Sequence, residues 1–351
     1  VAVLEPPKEI PVPRPGEPLR NLGFLTIGVF DGADPGPGHE SLLRTIELAE
    51  ELGYDSVWLR NRHLQFGVSS PVAVLAAASQ RTSRIQLGTA VIPLGLENPF
   101  RLAEDLATVD LLSHGRLQPG VSVGTPMRYD SFRTALYPET HEIENFSKDR
   151  VLRLLAYLRG EPVSDFEGVE GIETYSRSIQ PHAAGLADRV WYGGGLESAI
   201  WAGQQGVNYL TSSVVTTAGS SSFDFATIQA EQIDAYRAAH VAPHKARVSQ
   251  GLVVIPTDSA TPEQVRKYTA YAESRFARTR SPQGPRKMLF APDLVGPSEQ
   301  IAEALYAHAG FQRVDEVAFA LPFSFGEADY RQIVGDIAAH LGPALGWSPA
   351  G

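Results

Sequence analysis

From Asn21 onward, short apolar runs alternate with stretches of helical periodicity. The run LGFLTIGVF (22–30) precedes HESLLRTIELAEELG (39–53), where Leu42, Leu43, Ile46, Ala49 and Leu52 share one helical face and Gly53 stops it. YDSVWL (54–59) precedes a helix over 71–81, and RIQLGTAVI (84–92) alternates in the manner of a strand. NPFRLAEDLATVDLLSHG (98–115) carries a cap at Asn98, a first-turn Pro99 and a closing Gly115. The same pattern predicts strands at 116–124, 189–193, 207–210, 247–255 and 315–321. Helices are expected at about 142–159, from Leu196, and at 225–239, 262–278, 298–309 and 327–341. The segment 160–188 is irregular, and 280–296 is a long excursion, a candidate lid that would exclude water.

Eight strands alternating with helices predict a parallel α/β sheet. The count favours a closed (β/α)8 TIM barrel with insertions after strands four and seven; an open doubly wound sheet is the alternative. The expected organisation is a Pro-rich arm at 1–20, one barrel domain at 21–345 and a tail at 346–351.

Ligands of such a barrel gather at the C-terminal ends of its strands. In RVWYGGGLESAIW a strand runs into Gly193, Gly194 and Gly195 and then a helix bearing Ser198. Unpaired N–H groups at a helix start, bared by glycine, form a phosphate cradle; the same glycines also suit a plain tight turn. The chain has a formal net charge of −10, so nucleic acid and anionic membranes are not expected partners, and an anionic ligand needs a local positive feature. Cysteine is absent, which removes disulfides, thiolate metal sites and a cysteine nucleophile. No metal site is expected: the nine histidines are scattered and form no H-E-x-x-H, and no G-x-S-x-G supports a serine hydrolase. No apolar run approaches ~18 residues, the length of a membrane span. The first twenty residues lack the basic-then-apolar order of a signal peptide, so a cytoplasmic enzyme is the default expectation.

Three stretches resemble the bacterial luciferase-like family of flavin-dependent oxidoreductases: GYDSVWLRNRHLQFG (53–67), 84–124, and the glycine segment running into GVNYLTSS. The second is the most specific, with Leu87-Gly88-Thr89, Ala103-Glu104-Asp105, and then Asp110, Ser113, Gly115 and Arg116. LVGPSEQIAEAL (294–305) adds to a likeness covering about 21–345. The resemblance implies a TIM barrel holding reduced FMN, or a deazaflavin coenzyme, with its phosphate on Gly194, Gly195 and Ser198. It also implies an arginine at the start of the helix after strand four, for which Arg150 is the match, with Lys148 nearby. Where bacterial luciferases carry an arginine in strand four, this chain has Val123. The histidine expected at the end of strand two is His63, a general base or a hydrogen-bond donor to the flavin. Asn61 is a contact to substrate or flavin, and an acidic neighbour found in aldehyde-using relatives is missing here. Thr89 and Ser122 are small groups that would let a flat ring approach; tight barrel packing explains them equally. Glu104, Asp105 and Asp110 are read as anchors and salt bridges. Trp58, Phe66, Trp191, Tyr192 and Phe323 are read as pocket lining or core.

The implied activity is a monooxygenase that uses reduced FMN and O2 on a small organic substrate. A separate flavin reductase is the transient donor, and the protein is a homodimer. The alternatives are a deazaflavin-dependent reductase or dehydrogenase, with Arg60, Arg62 and Arg128 meeting the cofactor's acidic tail, and a flavin-binding protein without catalysis.

Overall fold

A computed structural model of the protein describes residues 19–220 and 222–350. Most of the Pro-rich stretch (1–18) and Gly351 of the C-terminal tail lie outside the described residues. The chain forms two compact units. The first takes the segment up to Thr26, Leu48–Val57, and everything from Gly193 on; the second takes Ile27–Glu47 and Trp58–Tyr192.

Parallel strands build the first unit, in the order Asn208–Leu210, Val248–Gln250, Glu316–Ala320, Asn21–Thr26. The register runs from Asn21 opposite Glu316 to Leu25 opposite Ala320. Phe24, Tyr54, Tyr209, Tyr236, Phe319 and Ile333 are buried among these strands and the surrounding helices. The helix Pro262–Arg275 starts in a capping box between Thr261 and Gln264, and Phe225–Ala239 is capped by Asp224. The excursion at 280–296 holds two short strands: Met288–Phe290 pairs antiparallel with Val214–Thr216, and Leu294–Gly296 pairs parallel with Val254–Pro256. Trp347 is buried and gives its indole N–H to Asp55, whose carboxylate also accepts from the Leu22 N–H.

In the second unit Ile92–Pro93, Gly120–Ser122 and the pair Trp191–Tyr192 lie parallel, as do Gln86–Thr89 and Leu117–Gln118. Trp58 meets Trp191 edge to face at 5.3 Å. Gly88 is glycine for that reason: a Cβ there would lie 2.3 Å from the Trp58 ring. Asn98 caps the helix Pro99–Leu112 by accepting from the Phe100 N–H.

Several elements are shorter than the periodicity predicts. The strand expected over 22–30 ends at Thr26, and Gly28 then turns at φ +57°. The run 116–124 divides at Pro119, which has no N–H to offer a ladder. The run 84–92 divides around Ala90–Val91, a cis peptide. The helix expected over 142–159 spans Asp149–Leu158.

Candidate functional site

From Gly193 on, the chain belongs to the first unit, and the glycine segment leads into the helix Leu196–Gln205. None of the three glycines has a left-handed φ, so turn conformation is not what excludes a side chain. Space is. A Cβ on Gly194 would stand 2.5 Å from Ser198 Oγ, and one on Gly195 would stand 2.9 Å from Thr216 Oγ1. Gly195 caps the helix without any side-chain hydrogen bond. Among the described residues neither Gly194 nor Gly195 donates a backbone hydrogen bond. Two bare amides therefore lie beside two hydroxyls, and a side chain at either glycine would collide with them.

The loop is fixed from beneath. Tyr209 is fully buried and donates its hydroxyl to the Gly194 carbonyl at 2.7 Å, while its ring stacks on Tyr236 at 5.4 Å. Burial pushes the phenol pKa up, so the hydroxyl remains a donor. In a trans peptide the C=O and the following N–H point opposite ways. With the Gly194 carbonyl drawn toward Tyr209, the Gly195 N–H faces away from it. Gly193, Gly194, Gly195 and Ser198 thus stand together, and Thr216 joins them. Thr216 carries no mark in the sequence, where it is followed directly by Thr217 and nothing distinguishes the two.

In the second unit, Asn61 and His63 follow the strand Ser56–Leu59 in a loop held by Arg62 N–H to Val68 O (2.7 Å) and Val68 N–H to Ile27 O (2.8 Å). Asn61 is 8% exposed and gives its amide N–H to the Ser69 carbonyl at 2.7 Å. That carbonyl only accepts, so the Asn61 Oδ1 is the atom left over. Asn61 Oδ1 and His63 Nε2 are both buried without a hydrogen-bond partner. Burial holds the His63 pKa below its ordinary value, keeping the ring neutral. Burial, and next the positive charge of Arg62, bring the Arg60 pKa down to about 10; burial also lowers that of Arg62.

The other expected site residues of this unit have clear partners or positions. Thr89 is fully buried; its Oγ1 donates to the Gly120 carbonyl and accepts from the Gly120 N–H, both at 2.8 Å. Ser122 ends its strand half-buried, opposite Pro93. Arg150 is buried and donates to Asn145 O (2.8 Å) and Glu97 O (3.1 Å), and its far edge pairs with Glu144. It ties the 144–150 segment to Glu97, alongside Phe146 packed against Gly95 and Tyr137 bonded to the Gly95 carbonyl. Arg128 is exposed. Trp58, Trp191 and Tyr192 are core, and Phe66 is exposed.

Asp110 receives both edges of Arg189 at 2.8 and 2.9 Å. Arg116 donates to the carbonyls of Ser113, Ile85, Ser79 and Thr82 and to Thr82 Oγ1, all at 2.8–3.0 Å. The D-x-x-S-x-G-R stretch is thus a staple of the fold. No helix among the described residues is long and apolar enough to cross a membrane, and no group of three or more potential metal-ligating side chains is found among them.

Residues 21–313 match the family model of the luciferase-like monooxygenases. The chain is 40% identical over 99 residues to a 4-hydroxyprotoasukamycin monooxygenase of Streptomyces nodosus subsp. asukaensis, covering 27% of this chain and 26% of that protein. It is 30% identical over 187 residues to an F420-dependent glucose-6-phosphate dehydrogenase of Amycolatopsis mediterranei, covering 50% of this chain and 54% of that protein. The chain therefore spans from about a quarter to about half the length of these relatives. Among solved structures, the oxygenating constituent of 3,6-diketocamphane monooxygenase from Pseudomonas putida, in complex with FMN, superposes with a TM-score of 0.64. It is 14% identical, and the match covers 92% of this chain and 98% of that one.

Proposed function

Since the chain belongs to the luciferase-like monooxygenase family and is an oxidoreductase, we propose that it is a flavin-dependent monooxygenase. Its eight strand–helix repeats would follow the (β/α)8 order. Reduced FMN from a separate reductase and O2 would oxygenate a small organic substrate. The observation that carries this reading is the pair of unpaired amides at Gly194 and Gly195 set against Ser198 Oγ and Thr216 Oγ1, so closely that a Cβ at either glycine would collide with those side chains. Bare amides at a helix start and two hydroxyls suit a phosphate dianion and resolve how an acidic chain holds one. When bound, reduced flavin supplies the electrons of the reaction. His63 is assigned proton transfer, because burial keeps its ring neutral with Nε2 uncommitted; Asn61 is assigned a contact to the ligand. Arg150 is assigned to the 97–145 tie and not to the phosphate.

A second reading keeps the cradle and replaces oxygen chemistry with hydride transfer to a deazaflavin. The F420-dependent relative, which matches half of this chain, favours it.

Titration of the protein with FMN, riboflavin and a deazaflavin coenzyme tests both. The expected result is phosphate-dependent binding, with FMN at least tenfold tighter than riboflavin, and Gly194→Val abolishing that preference while riboflavin binding persists. Binding of the deazaflavin alone would select the second reading. No binding of any of the three, or an unchanged preference in Gly194→Val, would overturn the cradle.

A further inference from the structure

We propose that the ribbon formed by Val214–Thr216 and Met288–Phe290 is a substrate platform: its open face seats the apolar body of an organic acid, and Arg278, with Tyr271 beside it, holds the carboxylate. This rests on the oxidoreductase reading above and names the substrate class for it.

Side chains of a strand alternate between its faces, and residues directly opposite in an antiparallel pair share a face. Val214 stands opposite Phe290, and Thr216 opposite Met288. Val215 and Leu289 face the other way and are buried. The four residues of the first face are each only partly buried. Thr216 Oγ1 marks one end of that face, set against Gly195 of the cradle. Arg278 marks the other, its guanidinium 4.3 Å over the Phe290 ring. The Val214–Phe290 row lies about 7 Å from the Thr216–Met288 row, two residues along a strand. A ligand lying on this face therefore runs from the cradle to Arg278 over apolar side chains that water still reaches, and covering them is favourable.

Arg278 lacks an acceptor. Among the described residues its side chain makes no hydrogen bond and no ion pair, and its Nε is buried without a partner. Asp293 attracts it, yet that carboxylate already takes Arg275 at 2.6 and 3.1 Å. Burial, and next the charge of Arg275, lower the Arg278 pKa, but a guanidinium stays charged. Tyr271 lies about two turns back along the helix Pro262–Arg275 and the tighter turn Phe276–Thr279 that continues it, so the two residues share a side. They interact electrostatically. The Tyr271 hydroxyl is likewise buried without a hydrogen-bond partner, and burial pushes its pKa up, so it remains a donor. The nearby Phe323 N–H can only donate to it, which leaves the hydroxyl proton without an acceptor. Two donors and one positive charge match a carboxylate, a monoanion whose oxygens only accept. A neutral amide would leave the charge uncompensated, and a phosphate dianion would exceed it.

The chain has two methionines, so a 13C-methyl methionine NMR spectrum of the whole protein carries two signals, and Met288→Leu assigns the one on the platform. Hexanoate, hexanamide and acetate are titrated into the cofactor-free and the FMN-loaded protein. Hexanoate is expected to move the Met288 signal saturably and to bind at least tenfold tighter than hexanamide, which lacks the charge, and than acetate, which lacks the chain. Arg278→Gln should bring hexanoate down to the affinity of hexanamide, and Tyr271→Phe should weaken hexanoate about fivefold. FMN affinity in Arg278→Gln should match the wild type. An unmoved Met288 signal, equal binding of hexanoate and either comparison probe, or a charge preference that survives in Arg278→Gln would overturn the proposal. So would a loss of FMN or deazaflavin affinity in Arg278→Gln, which would assign the arginine to the cofactor. If wild-type protein binds no flavin but keeps the hexanoate response in the cofactor-free state, the cofactor reading fails and this one stands.

Discussion

The turn at 110–116 and the loop at 61–63 lie in the same unit and are built from the same kinds of polar residue. In the turn, the buried polar side chains of Asp110, Ser113 and Arg116 all find protein. Arg116 makes five hydrogen bonds, and Asp110 takes both edges of Arg189. In the loop, Asn61 Oδ1 and His63 Nε2 are equally withdrawn from water and find none. Buried polar groups are normally satisfied, so the turn explains itself as architecture, and the loop asks for a molecule that is not the protein. The motif most diagnostic of the family is therefore the part with least chemistry to offer.

The sharpest way to break this contrast is Arg116→Leu. Several buried carbonyls would lose their donor at about 1–3 kcal/mol each, so denaturant melts should show a loss above ~3 kcal/mol; a change below ~1 kcal/mol would deny the staple. Asp110→Ala comes next. Arg189 is partly exposed and can rehydrate, so a loss of about 1–3 kcal/mol is expected.

In the loop the pattern should reverse. Asn61→Leu removes an unsatisfied acceptor along with one bond to an exposed residue, so stability should move by less than about 1 kcal/mol. Turnover should nevertheless fall at least tenfold once a substrate is in hand; unchanged turnover with a large stability loss would make Asn61 another staple. The smallest effect is a titration. The His63 ring, followed by NMR, should protonate below the ordinary value of 6.5. Burial disfavours the cation, so neutral ring persists as pH falls past 6.5, and a rate that needs the neutral base should stay flat there before declining. A midpoint at or above 6.5 would contradict the burial of that ring.

Helix beginnings with a local cap or breaker are legible in the sequence, whereas the helix expected from 142, which has none, begins at Asp149. Asn98 caps where its spacing predicts, and the helix after the glycines starts at Leu196. Strand ends were less legible. Pro119 and Gly28 cut apolar runs that read as continuous. The site divided along the same line. Gly194, Gly195 and Ser198 are neighbours in the chain and stand together in space. Arg150 is expected at a phosphate, yet its partners are Glu97, Glu144 and Asn145. One of these is more than fifty residues away and is brought near only by folding, and no helical spacing announces it. Thr216 is silent in the sequence for the converse reason: its worth lies in standing against Gly195, a fact of space rather than of pattern.

Tyr209 sets the tempo of whatever enters the cradle. With the Gly194 carbonyl tethered, the neighbouring amide is already aimed before any anion arrives, so capture demands no peptide flip and little ordering. Association measured by stopped flow should rise linearly with ligand concentration and show no plateau. Removing that one phenolic oxygen, as in Tyr209→Phe, should introduce a saturating, rearrangement-limited phase.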